Sequence, residues 1–157
     1  MSHLKKLVYV SQSRLAAAEA ERAVADIVAL ATPRNDRLEI GGALMFTGHR
    51  FAQWLEGPAA NVDLLMRSIA ADVRHRDIQI VVDCAVELRS FSGWGLAFGG
   101  RSLVVDRHLK AALNSGWAFA DGDAARRLER LMIELAHAQW PGRTGVGAAL
   151  AAAPVTG

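Results

Sequence analysis

The sequence predicts an α/β (α+β) chain: a ferredoxin-like mixed sheet with two helices on one face, followed by a C-terminal helical extension. Three observations lead there. Up to Val86, short apolar runs and helical-period stretches follow one another as strand, helix, strand, strand, helix, strand. Two helices are too few to cover both faces of such a sheet, so placing both on one face is the economical packing. A later amphipathic stretch is available to cover the opposite face.

Leu7, Val8, Tyr9 and Val10 read as a central strand buried on both faces, with Ser11, Gln12 and Ser13 as a turn after it. From Leu15 to Ala31 alanine is abundant, and Val24, Ile27, Val28 and Ala31 recur at helical spacing. Pro33 is expected to stop that helix, leaving Arg34 to Glu39 as a polar connection. Ile40 to Phe46 and Phe51 to Glu56 form an antiparallel pair across the turn Thr47-Gly48-His49-Arg50. Gly57-Pro58 then opens a helix near Asn61 to Asp72, with Val62, Leu65, Met66 and Ile69 on its apolar face. Ile78 to Val86 is a fourth strand and Trp94 to Phe98 a short fifth. Arg107 to Leu113 is a short helical stretch. Asp121 or Asp123 caps a final helix running to Gln139, whose stripe is Leu128, Leu131, Met132, Leu135 and Ala136. Pro141-Gly142 ends it. Residues 143–157 read as a frayed tail. The expected division is a sheet domain over residues 1–103, a helical cap or output extension over 104–141, and a flexible tail over 142–157.

Composition narrows the function classes. Against 18 Lys and Arg stand 16 Asp and Glu, a formal net charge of only +2, and the basic residues are scattered. Nothing calls for nucleic acid or an anionic membrane. No stretch approaches a membrane span, and Leu7 to Val10 is too short for a signal-peptide core, so a cytoplasmic protein is expected. One cysteine, Cys84, excludes an internal disulfide and reads as a small buried strand residue. The five histidines form no short metal-ligand pattern. There is no dinucleotide fingerprint, phosphate loop or nucleophile elbow. No metal and no catalytic residues are therefore assigned.

Two polar residues sit in apolar surroundings: Tyr9 within Leu7-Val8-Tyr9-Val10, and Gln53 within Phe51-Ala52-Gln53-Trp54-Leu55. A buried hydroxyl and a buried amide both need partners, and these two can face one another on adjacent strands. Periodicity leaves two readings open: local hydrogen bonds with no further role, or a ligand-facing pair. Strand alternation sends Trp54 to the opposite face, against a partner or the C-terminal helix. Trp117, Phe119 and Trp140 read as core or interface aromatics.

The order and spacing of these residues resemble the BLUF family, blue-light sensors that use flavin. The matching positions are Leu7-Val8-Tyr9-Val10-Ser11, Asn35 ahead of Ile40, Gly42-Ala43-Leu44, and Phe51-Ala52-Gln53-Trp54-Leu55-Glu56-Gly57-Pro58. Asp72, Arg74-His75, Arg89, Phe91 and Trp94 complete the set, which covers nearly two-thirds of the chain. The resemblance implies FAD between the two helices that follow the first and third strands, with its ring near Tyr9. It implies that Asn35 binds the pyrimidine edge, that Gln53 sits between the Tyr9 hydroxyl and the flavin, and that Arg74 and His75 lie near the outer flavin and its phosphate-bearing chain. Tyr9 would donate an electron and then a proton on illumination, and their return would leave Gln53 rotated or tautomerised and the absorption red-shifted. The change would leave through the last strand and the C-terminal helices, with Trp94 and Leu96 as signal-transmission positions.

Each match has a plainer reading: Asn35 as a loop or cap residue, Arg74-His75 as a solvated helix end, Trp94 as sheet packing. The chain also departs from the pattern. Arg34 stands where many relatives have a second asparagine, Gly41 replaces a threonine or serine, and Leu96 occupies a site that is often methionine. With 157 residues there is no length for an attached output enzyme, so the expected function is a non-enzymatic photoreceptor acting on a downstream protein in trans, as a homo-oligomer. The alternatives are a non-photoactive flavin or small-ligand module, and a ferredoxin-like enzyme or structural oligomer.

Overall fold

The computed structural model describes residues 3–114 and 123–141. Its elements are β1 (Leu4–Ser13), α1 (Ala20–Arg37), β2 (Gly41–Phe46), β3 (Arg50–Pro58), α2 (Ala59–Ala70), β4 (His75–Val86), β5 (Trp94–Gly99), α3 (Leu103–Asn114) and α4 (Asp123–Gln139). The strands form one sheet in the order β4-β1-β3-β2-β5. The first four strands pair antiparallel, and β5 adds parallel to β2. This is the expected ferredoxin-like arrangement with one additional strand and a helical extension.

Alternation sorts the side chains to two faces. Leu7, Tyr9, Leu44, Phe51 and Leu55 pack with Val24 and Ala31 of α1 and with Val62 and Leu65 of α2. On the opposite face Val8, Val10, Met45, Ala52 and Trp54 pack with Val105 and Leu109 of α3 and with Leu128, Met132 and Ala136 of α4. The C-terminal helices thus cover the face that the first two helices leave open, and Trp54 lies beneath them as alternation requires. Lys6 reinforces this junction, 5.0 Å from the Trp54 ring centroid and ion-paired with Glu129 of α4.

Several local expectations are corrected. Pro33 does not stop α1, which continues to Arg37, so Asn35 lies in a helix and not in a polar connection. A proline inside a helix costs about 3 kcal/mol through its missing N–H and its ring. Burial of the face carrying Val24, Ala31 and Asn35 offsets this cost. Thr32 Oγ1 donates to the Val28 carbonyl (2.7 Å) in the same turn. Ser11 to Ser13 do not turn either: β1 continues through them because Ser11 and Gln12 find partners in Phe51 and Arg50 of β3. Cys84 is exposed, since β4 is an edge strand that the helices do not cover there. Asp121, Trp117, Phe119 and the tail over 142–157 lie outside the described residues. Trp140 does pack against the α3/α4-side core.

Candidate functional site

Between α1 and α2, on their side of the sheet, lies a cleft. Tyr9 and Gln53 form part of its floor, α1 supplies Ala31 and Arg34, and Arg74 and His75 line the opposite side. Tyr9 and Gln53 are directly opposed in the β1–β3 register, so they share a face. The Tyr9 hydroxyl donates to Gln53 Oε1 at 2.6 Å, and both side chains are buried. Accepting through Oε1 leaves the Gln53 amino group as a donor.

Burial pushes the Tyr9 hydroxyl well above its usual range; Asp72 adds to the rise and Arg34 opposes it. The neutral phenol is therefore the stable resting donor. A phenol whose folded-state value is raised contributes stability that is complete below the ordinary tyrosine value of about 10 and is lost as pH rises beyond it. Tyr9 is the only tyrosine. We expect no phenolate absorbance as the folded protein is titrated through the normal tyrosine range, and phenolate appearing together with unfolding. A free titration near 10 in the folded protein would contradict this burial.

Asn35 is fully buried. Its Oδ1 accepts from Arg34 Nε (3.2 Å), while Nδ2 has no partner among the described residues. An orphaned buried donor costs about 1–3 kcal/mol unless a group outside the chain accepts from it. Arg74 chelates Asp72, with Nη2 to Oδ2 at 2.6 Å and Nε to Oδ1 at 3.0 Å. That guanidinium holds the Asp72 carboxyl below the usual range. His75 is buried, and both of its ring nitrogens already have protein partners, Ser11 Oγ and the Ile69 carbonyl, each at 2.7 Å.

The structure thus gathers Tyr9, Gln53, Arg74 and His75 in one cleft, with Asn35 buried beside Arg34. Trp94 and Leu96 lie elsewhere. Trp94 is buried in the α1/α2-side core with Nε1 unpartnered among the described residues. Leu96 lines a separate groove with Ala20, Val24 and Phe46.

Sequence reasoning missed three residues. Arg34, noticed only as a departure, lines the cleft. Ser11 is fully buried against His75, and its place two residues after Tyr9 on one strand was the available signal. Glu56 carries a buried carboxylate that accepts from Trp54 Nε1 (3.0 Å) and the Phe91 amide (2.6 Å), tying β3 to the segment before β5. Burial raises its pKa, and the Ser90 and Phe91 amides oppose the rise.

Comparison with known proteins agrees with this geometry. The family model for BLUF, the sensors of blue-light using FAD, matches residues 4–97. The blue light- and temperature-regulated antirepressor BluF of Escherichia coli is 35% identical over 114 residues, 72% of this chain and 28% of that protein. Photoactivated adenylate cyclase subunit beta of Euglena gracilis is 28% identical over 93 residues, 59% of this chain and 11% of that protein. The chain therefore spans under a third of each of these two relatives. Among solved structures, the dark-state BLUF protein BlrB superposes with a TM-score of 0.65 at 28% identity, covering 83% of this chain and 98% of that one. The photo-activated state of BlsA gives 0.65 at 25% identity, covering 85% and 94%. With the family pattern matched over 4–97 and the buried tyrosine–glutamine pair at the floor of the cleft, this chain belongs to the BLUF family.

Proposed function

We propose that this protein is a blue-light photoreceptor that holds FAD between α1 and α2 and signals to a partner protein in trans. The observation that carries the reading is the buried 2.6 Å hydrogen bond from Tyr9 to Gln53 on the cleft floor. Orphaned Asn35 Nδ2 supports a ligand with a carbonyl-like acceptor, which the polar edge of a flavin ring provides. Arg74, half-exposed, suits the phosphate-bearing chain. His75 is assigned to the cleft wall, its nitrogens being engaged within the protein.

Bound flavin would supply the blue-light absorption and the electron acceptor. Tyr9 is the electron donor, and its hydroxyl proton moves along the existing bond toward Gln53 Oε1. Return of the electron and the proton to Tyr9 would leave the Gln53 amide rotated or tautomerised, so its donor contacts change. Residues 1–103 form the flavin-binding unit and 104–141 the cap and output helices. The change is read as leaving through β5, where Trp94 and Leu96 face the α1/α2 side and the intervening Gly95 lies against Trp140 of the extension. Self-association loses one support, since α4 of the same chain covers the outer sheet face. Exposed Leu103 and Val104 at the start of α3 remain available to a partner. No helix among the described residues is long and apolar enough to cross a membrane.

The test is an absorption spectrum of the purified protein before and after blue light, followed in darkness. A flavin spectrum with a reversible red shift is expected. No flavin after reconstitution overturns the reading, and flavin without a shift favours the non-photoactive binding module. Tyr9→Phe should keep flavin but lose the productive cycle in the same difference spectrum; an unaltered cycle there would remove Tyr9 from the mechanism.

A further inference from the structure

The β1–β4 ladder is interrupted beside the cleft. Val10 pairs with Gln79 and Gln12 with Arg76, so two steps along β1 match three along β4, and Ser11 has no partner on that side. Asp77, within the extra stretch, has a left-handed φ of 53°. Ile78 and Ile80 pack toward the helices. Strict alternation from them would send Arg76 inward and His75 outward. The bulge reverses this, so Arg76 is exposed and the imidazole lines the cleft.

The imidazole is held at both nitrogens. The Ile69 carbonyl can only accept, so Nε2 carries the proton toward it. Ser11, fully buried, has a hydroxyl to donate, and it lies 2.7 Å from His75 Nδ1. A neutral ring protonated at Nε2 gives both the Ser11 hydroxyl and the imidazole N–H an acceptor. A doubly protonated ring would leave the Ser11 hydroxyl proton without an acceptor among these groups. So held, the ring lies edge-on to Tyr9, with centroids 6.0 Å apart at 61°, and edge-on to Phe51, at 6.1 Å and 87°.

We propose that Ser11 and His75 are positioning residues for Tyr9: aimed inward by the β4 bulge, the Ser11–His75–Ile69 hydrogen-bond chain locks the imidazole in one neutral tautomer and sets the ring orientation from which Tyr9 meets Gln53. This rests on the photoreceptor reading only where the light cycle is concerned.

The test uses the full flavin-bound chain carrying isotope-labelled tyrosine and histidine rings. The tyrosine label reports Tyr9 alone, and His75 is assigned by its loss in His75→Phe. In darkness, wild-type His75 should show the Nε2-protonated neutral tautomer. Ser11→Ala should release that tautomer, speed Tyr9 ring flipping about fivefold and change the dark-recovery rate about fivefold, the scale of one edge-on aromatic contact. Flavin content should stay unchanged. Ser11→Thr, which keeps the hydroxyl, should restore all three. Unchanged Tyr9 flipping in Ser11→Ala, or failure of Ser11→Thr to restore it, overturns the proposal. So does a wild-type imidazolium or Nδ1-protonated tautomer, which needs no variant to fold. Absence of any light response in the wild type would instead count against the photoreceptor reading, with the ring measurements still deciding this one.

Discussion

Gln53→Leu is expected to abolish the reversible red shift while the protein retains flavin. Leucine approximates the size of glutamine but has no amide, so the Tyr9 hydroxyl loses the acceptor it meets at 2.6 Å. No rotation or tautomerisation can then exchange donor for acceptor. Flavin retention is expected from the proposed contacts of the Asn35 amide and the Arg74 guanidinium, which the substitution leaves untouched. The variant leaves a buried hydroxyl unsatisfied, which should lower stability by about 1–3 kcal/mol in urea unfolding. The deciding measurement is the light-minus-dark difference spectrum at equal flavin content. A normal, reversible shift would exclude Gln53 as the switch.

Gly42→Ala should be the most damaging single-methyl change in the sheet. Gly42 has φ of +137°, and a Cβ there would stand 1.8 Å from the Trp54 carbonyl oxygen and 2.7 Å from its carbon. These are backbone atoms of the neighbouring strand, so no rotamer change relieves the overlap. Relief requires separating β2 from β3 beside Gln53. Gly42 also donates its amide to the Gly93 carbonyl (2.9 Å), so the shift would loosen the entry to β5 as well. The expected loss is about 4 kcal/mol or more, at the extreme of single substitutions. Gly93→Ala is the control, because nothing lies within 4 Å of a Cβ there. Equal unfolding midpoints for the two variants would show the strand pairing to be more pliable than these distances allow.

The split strand–helix–strand order, the helix-covered face and the α4 stripe were legible because alternation and helical period are written directly in the spacing of apolar residues. Tyr9 and Gln53 stood out for the same reason, as polar groups inside apolar runs. Asn35 was legible as a residue, but its environment was not. Local propensity at Pro33 argued for a helix stop, and only the burial of Val24, Ala31 and Asn35 on one face shows why the helix continues. Cys84 was misjudged because a strand's apolar character does not reveal that it lies at the edge of the sheet.

By itself, the sequence determined the fold class and the family. It also singled out one tyrosine and one glutamine as polar residues able to face one another on adjacent strands. These properties depend on short-range periodicity and on a motif carried within single segments. Only the tertiary structure decided that Arg34 faces the cleft, that Glu56 ties β3 to the approach to β5, and that His75 turns inward in place of Arg76. Each depends on register between segments distant in sequence. The β1–β4 ladder shifts register twice, between Val8 and Tyr9 and between Val10 and Gln12; each extra residue exchanges the two faces of β4, and strand composition alone does not locate it.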